Sequence, residues 1–229
     1  EAGKSVTTGL YNTLLGGRAG DLVSEGAENI AIGVNALGGD TKGSKSVAVG
    51  MGALQTQNFT SATNVYNTAA GYNAGLSVTT GTLNTFIGGI SGDATTTGSF
   101  NTAVGYSSLS GNTTASYNTA LGHMAALTNT TGSGLVALGN RSLQENTTGG
   151  SNVAAGSNSL RENTTASNNT AFGAECLRTN TTGAGLTAVG SGALNANTTA
   201  ADGTAVGHNA LNANTTGANN TGIGRSALA

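Results

Sequence analysis

A glycine recurs at intervals of 17 residues along almost the whole chain, and the same short phrase precedes it each time. Eleven of the twelve intervals are 17 residues long, and the interval from Gly50 to Gly71 is 21. A fixed period of this length is typical of repeat proteins, in which each unit covers its neighbour and the structure grows by adding coils. The thirteen glycines are Gly16, Gly33, Gly50, Gly71, Gly88, Gly105, Gly122, Gly139, Gly156, Gly173, Gly190, Gly207 and Gly224.

The phrase around each glycine predicts a strand followed by a turn. Counted from the residue four before the glycine, the consensus is N-T-A-V-G-x-x-A-L-x-x-N-T-T-G-x-x, and we number its positions 1 to 17. Position 2 is β-branched and position 4 is apolar in every repeat. Successive β-branched and apolar residues favour a short strand. We therefore expect an all-β parallel β-solenoid, a β-roll of thirteen 17-residue coils.

The repeats form a single array over residues 1–229 that is less regular in its first part. Residues 101–229 follow the consensus closely, whereas residues 1–100 depart from it more often and carry a four-residue insertion within 46–66. In this first part, glycine replaces the usual Leu of position 9 at Gly20, Gly75 and Gly92. Position 3 is Ala in ten repeats, and Leu14 and Phe86 are its large exceptions.

Alternation along the strand assigns its two faces. Side chains of a strand point to opposite sides in turn, so positions 2 and 4 share one face. Because that face is apolar or β-branched throughout, we assign it to the interior of the coil, and position 3 then points outward. A column of small outward residues indicates close packing against another subunit. The predicted interface column is Ala103, Ala120, Ala137, Ala154, Ala171, Ala188 and Ala205.

The remaining repeated positions predict turns and core. The glycine at position 5 is expected to have a positive φ or to lie where another backbone comes close. Leu at position 9 is expected to fill the core. The N-T-T-G segment has turn chemistry, and its asparagines are expected to bond from coil to coil as a ladder. These are Asn112, Asn129, Asn146, Asn163, Asn180, Asn197 and Asn214.

Composition argues against several partners. Charged residues are 8% of the chain, and the net charge is −2, so no attraction to nucleic acid is expected. No apolar run approaches the roughly 20 residues that span a bilayer, so no membrane insertion is expected. The chain has no proline, which suits a structure that uses backbone N–H groups between coils.

Few residues offer catalytic or metal-binding chemistry. His123 and His208 lie five coils apart, about 24 Å at roughly 4.8 Å per coil, so they cannot share a metal. Cys176 takes a position that is Ala or Ser elsewhere, which favours packing over a nucleophile. Stacking is expected to pair Glu145 with Arg161, and likewise Glu162 with Arg178, at the surface. We predict no catalytic site, no metal site and no cofactor.

Some of these phrases resemble known surface fibres. The segment Ser46-Val47-Ala48-Val49-Gly50 resembles the head repeats of trimeric autotransporter adhesins, and residues 71–88 with the N-T-A-x-G and N-T-T-G units resemble repeat arrays of bacteriophage tail fibres. The resemblance covers essentially the whole chain. It implies a left-handed β-roll, a homotrimer and an extracellular location on a phage tail or a bacterial surface.

The functional expectation is a non-enzymatic fibre segment, a rigid shaft or head that presents or makes contacts with a host-surface glycan or protein. Tyr72 and Tyr106, which follow the repeat glycine, are the candidate glycan contacts. Two alternatives stay open. The paired threonines of positions 13 and 14 could form an ice-binding face, and a polysaccharide-degrading tailspike would need a groove with paired carboxylates.

Overall fold

The computed structural model describes all 229 residues and contains strands and turns but no helix. It is a parallel β-solenoid in which each 17-residue repeat forms one coil and contributes one three-residue strand. No helix is present that would be long and apolar enough to cross a membrane. Two compact units, Glu1–Ser116 and Tyr117–Ala229, make up the chain.

The first unit contains six strands of the main ladder and a small separate pair. The ladder has the order β1-β2-β4-β6-β7-β8, and β3 pairs with β5 beside the insertion. The strands are β1 Thr13–Leu15, β2 Ile30–Ile32, β3 Gly43–Ser44, β4 Val47–Val49, β5 Thr63–Asn64, β6 Thr68–Ala70, β7 Thr85–Ile87 and β8 Thr102–Val104.

The second unit contains seven parallel strands in chain order. Each pairs with the next at a shift of one repeat, so that Val136 lies beside Val153 and Ala137 beside Ala154. The strands are β9 Thr119–Leu121, β10 Val136–Leu138, β11 Val153–Ala155, β12 Thr170–Phe172, β13 Thr187–Val189, β14 Thr204–Val206 and β15 Thr221–Ile223.

The two faces of the strands are the reverse of the sequence prediction. The alanines of position 3 point into the coil and are completely buried within a single chain, so the predicted subunit-interface column is wrong. This applies to Ala103, Ala120, Ala137, Ala154, Ala171, Ala188 and Ala205, each of which is 0% exposed. Positions 2 and 4 point outward instead. The physical reason is the limited width of the coil interior. The large Leu of position 9 already fills the space opposite the strand, so only a small residue fits at position 3.

The exceptions to the alanine column show this complementarity directly. Phe86 occupies position 3 and is completely buried. A Cβ added at Gly92 would lie 2.5 Å from Phe86 Cδ1, and one added at Gly75 would lie 2.8 Å from Phe86 Cδ2. Leu14 fills the space beside Gly20 in the same way. A large residue at position 3 is therefore accommodated by a glycine at position 9.

The predicted asparagine ladder is present inside the coils. In the second unit, the Nδ2 of Asn146 donates to Asn129 Oδ1 at 2.8 Å, and Asn163 donates to Asn146 at the same distance. The series continues through Asn180, Asn197 and Asn214. In the first unit, Asn112 donates to Thr95 Oγ1. Buried amides need such partners, and the ladder supplies them from coil to coil.

A second asparagine ladder, at position 1, was not predicted from the sequence. Asn84 is completely buried, its Oδ1 accepts from the backbone N–H of Asn101, and its Nδ2 donates to Gly98 O. The same pattern links Asn152 to the N–H of Asn169. The signal was available, because position 1 is Asn in nine of the thirteen repeats.

Each coil turns through left-handed backbone conformations that are not confined to glycine. The residues at positions 7, 9 and 17 have φ near +50° to +66°, as at Asn158, Leu160 and Asn168. Asparagine adopts this region comparatively easily, but leucine does so at a cost. Complete burial of Leu160 and its equivalents offsets that cost, since burying a Leu contributes about 1.5–3 kcal/mol.

A buried aspartate anchors the insertion. Asp40 replaces the ladder asparagine and is completely buried. Its Oδ1 accepts from the backbone N–H of Gly43 and of Phe59, and its Oδ2 accepts from Gln57 Nε2 at 2.6 Å. The extra residues bulge beyond Phe59, where residues 60–62 are exposed. Asp40 is therefore a structural group.

Candidate functional site

The outward side chains of positions 2 and 4 form an exposed face, which we call the outer strand face. In the second unit, position 4 places Leu121, Phe172 and Val189 outward at 51%, 51% and 40% exposure. Position 2 contributes β-branched residues beside them, such as Thr119 and Val136. Neither position carries a charged residue in any repeat. This face is an apolar and β-branched surface with the period of the coils.

The outer strand face is wider in the first unit, because several residues at positions 17 and 6, on either side of it, are large and apolar there. Position 17 adds Leu83 and Phe100, which are 45% and 46% exposed, and position 6 adds Val34 and Met51 at 49% each. In the second unit, position 6 holds mainly polar or small residues, among them Asn140, Ser157, Ser191 and His208.

Charges are sparse on this wide face and lie at its edge. Glu28 and Lys45 occupy position 17 in successive coils. Lys45 Nζ lies 5.5 Å from the centroid of the Tyr66 ring, a cation–π distance. The electrostatic potential of the face is therefore too weak to attract a charged ligand.

The candidate glycan contacts lie on the border of the same face. Tyr72 and Tyr106 both occupy position 6 in the first unit and are 55% and 54% exposed. A Cβ added at Gly89 would lie 3.5 Å from Tyr106 Cδ2, so that ring covers the small residue of the neighbouring coil. Both rings present a surface on which a sugar can stack. Their contact with a glycan remains a prediction.

The threonine columns are divided between two roles. Position 13 hydroxyls donate to backbone carbonyls of the next coil, as Thr147 does to Thr164 O at 3.0 Å and Thr164 does to Thr181 O at 3.2 Å. Position 14 threonines, such as Thr148 and Thr165, are exposed. The paired columns of the ice-binding alternative thus leave only one threonine per coil outward, in a turn. This geometry does not favour that alternative.

Cys176 lies inside the coil in a structural position. Its thiol donates to Ala188 O at 3.1 Å, as Ser91 Oγ does to Ala103 O at 2.9 Å. Burial raises the pKa of the Cys176 thiol to about 12, although a backbone hydrogen bond at Phe172 acts in the opposite direction. A thiol that stays protonated is a poor nucleophile.

The other titratable residues are dispersed. No group of three or more His, Cys, Asp or Glu residues is placed to hold a metal ion. His123 and His208 are exposed at position 6. The predicted pair of Arg161 with Glu145 is present at 3.8 Å.

The second predicted ion pair forms with a different carboxylate. Arg178 lies 3.9 Å from Glu175, three residues before it, and this pair takes the place of the one predicted with Glu162. The side chains of Arg178 and Glu175 are 37% and 50% exposed, so solvent screens the pair and it adds little stability.

A groove of about 310 Å³ runs along one side of the first unit. Asp21 is its only acidic lining residue and Arg18 its only basic one. Hydrolysis of a polysaccharide by paired carboxylates would need two acids. The other lining residues are Leu22, Asn35, Gly38, Gly39, Gln55 and Thr56.

The chain matches no protein-family model, no curated protein and no solved structure. The geometry of the chain is therefore the guide to its function. The feature that the geometry leaves unaccounted for is the outer strand face.

Proposed function

We propose that the chain is a structural and adhesive segment of an extracellular fibre, on a phage tail or a bacterial surface, that assembles as a homotrimer and meets a host-surface glycan or protein. One observation carries the proposal. The most regular columns of the repeat, namely Ala, Leu and the two asparagine ladders, lie inside the coils and join each coil to the next.

This arrangement suits a stiff spacer better than an enzyme. In a solenoid each repeat contacts its neighbours, so the number of coils sets the length and the contacts between adjacent coils supply the stiffness. Enzymes of this shape place their chemistry in irregular loops, and this chain has one short insertion, which Asp40 and Gln57 tie to the core.

The location can be tested by immunogold electron microscopy with antibodies raised against the purified chain. We expect label along fibres on cells of the source organism or on particles released from them. Label confined to the cell interior would contradict the proposal.

The host contact can be tested by binding the fluorescent chain to host cells and to immobilised host glycans. We expect Tyr72→Ala and Tyr106→Ala to weaken binding. Tyr117→Ala is the matched control, because Tyr117 is also exposed, at 66%, but occupies position 17. Equal binding by all three variants would remove the tyrosines of position 6 from the contact.

A further inference from the structure

The outer strand face presents more exposed apolar surface than a solitary coil stack needs. Isoleucine, valine, leucine and phenylalanine at position 4 gain nothing from exposure, and covering the part of each side chain that is still exposed would stabilise an assembly. Ile87 and Val49, for example, are 42% and 37% exposed. Soluble monomers rarely carry contiguous apolar patches beyond a few hundred Å².

The size of the face in the first unit can be estimated from strand geometry. Six stacked strands at about 4.8 Å give a height of about 29 Å. Positions 17 to 4 span at most about 13 Å along the chain, and position 6, on the border, is left to the host contact. The resulting footprint in the first unit is roughly 400 Å², about half of the roughly 800 Å² that each partner contributes to a standard interface. The second unit adds its own columns.

We propose that the outer strand face is the self-association surface of this protein, and that it is covered by the same face of further copies of this chain lying parallel and in register. The inference deepens the proposed function, because it names the face on which the fibre is assembled. It replaces the alanine column, which lies inside the coils.

The near absence of charge on the face is the first argument for a copy as the occupant. In the first unit, a partner that recognised charge would find only Glu28 and Lys45, which have opposite signs and lie in successive coils. In the second unit, the charges beside the face are Asp202 at position 17 and Arg225 at position 6, again of opposite sign. The side chains of this surface recur once per coil, so a surface with the same spacing fits it best. A second copy of this chain has that spacing.

The distribution of side chains is the argument for the parallel register. Within the first unit, position 17 is charged at Glu28 and Lys45 and apolar at Leu83 and Phe100. Parallel copies in register put these two apolar residues against their own equivalents. Antiparallel copies would instead bring the charged coils over them.

The sizes of two neighbouring pairs of side chains at position 4 also suit packing between copies of the chain. Phe172 projects beside Ala155, its register partner in the preceding coil, and Ile87 projects beside Ala70. These two large side chains therefore each have a hollow beside them, into which a side chain of another copy can lean.

The first experiment is the mass of the purified chain in solution, measured by light scattering during size exclusion. We expect a trimer of the 22.1 kDa chain, and a monomer would overturn the inference. The double variant Val49→Asp/Ile87→Asp is expected to shift the protein to monomer while its circular dichroism is unchanged. Thr148→Asp/Thr165→Asp, on exposed turn residues, is the control and should remain oligomeric.

A second measurement tests the register and does not depend on the aspartate variants folding. Spin labels are attached to single cysteines at Leu15 or Ile87 in a Cys176→Ala background, in which Ala is the usual residue of that position. Parallel copies in register predict similar short distances between subunits at both sites. A short distance at one site and a long one at the other would refute the parallel register. A monomeric chain whose antibodies still label fibres would refute the inference and the homotrimer but leave the fibre location standing. An oligomeric chain whose label is confined to the cell interior would refute the fibre location but leave the inference standing.

Discussion

At the scale of single residues, the glycine of position 5 has two independent constraints. Its φ is +127° at Gly139 and close to that value in the other repeats. A Cβ on Gly139 would lie 2.7 Å from Gly156 O in the next coil. The period therefore follows from both the backbone conformation and the close approach of adjacent coils.

The glycine column gives the first prediction. Gly139→Ala should lower the free energy of unfolding by at least about 2 kcal/mol, because it combines backbone strain with a clash that the next coil cannot avoid. Gly17→Ala is the control, since an added Cβ there meets no atom within 4 Å, and it should change stability by less than about 0.5 kcal/mol. Chemical denaturation of both variants compares them, and equal stability would contradict the account.

Cys176 gives a prediction about pH. The folded chain holds the thiol protonated up to about pH 12, whereas the unfolded thiol titrates near its ordinary pKa of 9.0. The unfolded state therefore loses this proton first, so the stabilisation is complete below pH 9 and is lost as the pH rises between 9 and about 12. The loss is at most about 1.4 kcal/mol per pH unit.

The variant Cys176→Ser isolates this contribution. Ser91 and Ser159 occupy the same position in other coils and donate to the equivalent carbonyls. The difference in unfolding free energy between the wild type and Cys176→Ser should shrink or reverse above pH 9. A difference that stays constant with pH would show that the thiol does not titrate on unfolding.

At the scale of the element, the strand and the opposite corner of the coil share one volume. Phe86 of β7 occupies space that Leu takes in other coils, and Gly75 and Gly92 make room for it. Phe86→Ala alone should cost about 3–5 kcal/mol through a cavity, and Gly75→Leu/Gly92→Leu with Phe86 in place should destabilise by overpacking. The triple variant Phe86→Ala/Gly75→Leu/Gly92→Leu restores the usual side chains and should recover most of the loss.

The stabilities of these variants measure the energetic coupling between positions 3 and 9. The position 9 leucines of neighbouring coils already have φ near +50°, so the backbone of Gly92, at φ +57°, has a conformation that leucine adopts in this fold. Denaturation midpoints of the three variants give the interaction energy. Additive losses would mean that positions 3 and 9 do not face each other.

Much of this element could be predicted from the sequence. The period, the strand, the turn glycine, the buried Leu and the ladder of Asn129 to Asn214 all followed from residue types that have a single physical role. The orientation of the strand did not, because Thr, Val and Ile suit a covered outer face as well as an interior. The paired exceptions Phe86/Gly92 and Leu14/Gly20 contained the answer, since compensating sizes place two positions in contact.

At the scale of the whole molecule, the repeat should be modular. Deleting residues 152–168 removes one complete coil and joins position 17 of one repeat to position 1 of another, so both ladders keep their register. We expect the same circular dichroism spectrum and a cooperative thermal transition. Deleting 152–167 is the control, because it shifts every later residue by one position and turns Ala171 outward. Equal folding of both deletions would contradict the assigned coil.

The central claim is that the strands turn alanine inward and an apolar face outward, and that this face is covered by other copies. An electron cryo-microscopy structure of the purified protein tests it most directly. The account predicts parallel copies that meet along positions 2 and 4, with Phe172 and Ile87 in the interface and Ala171 inside each coil. A structure in which these side chains face solvent, or in which the copies meet through another surface, would contradict it.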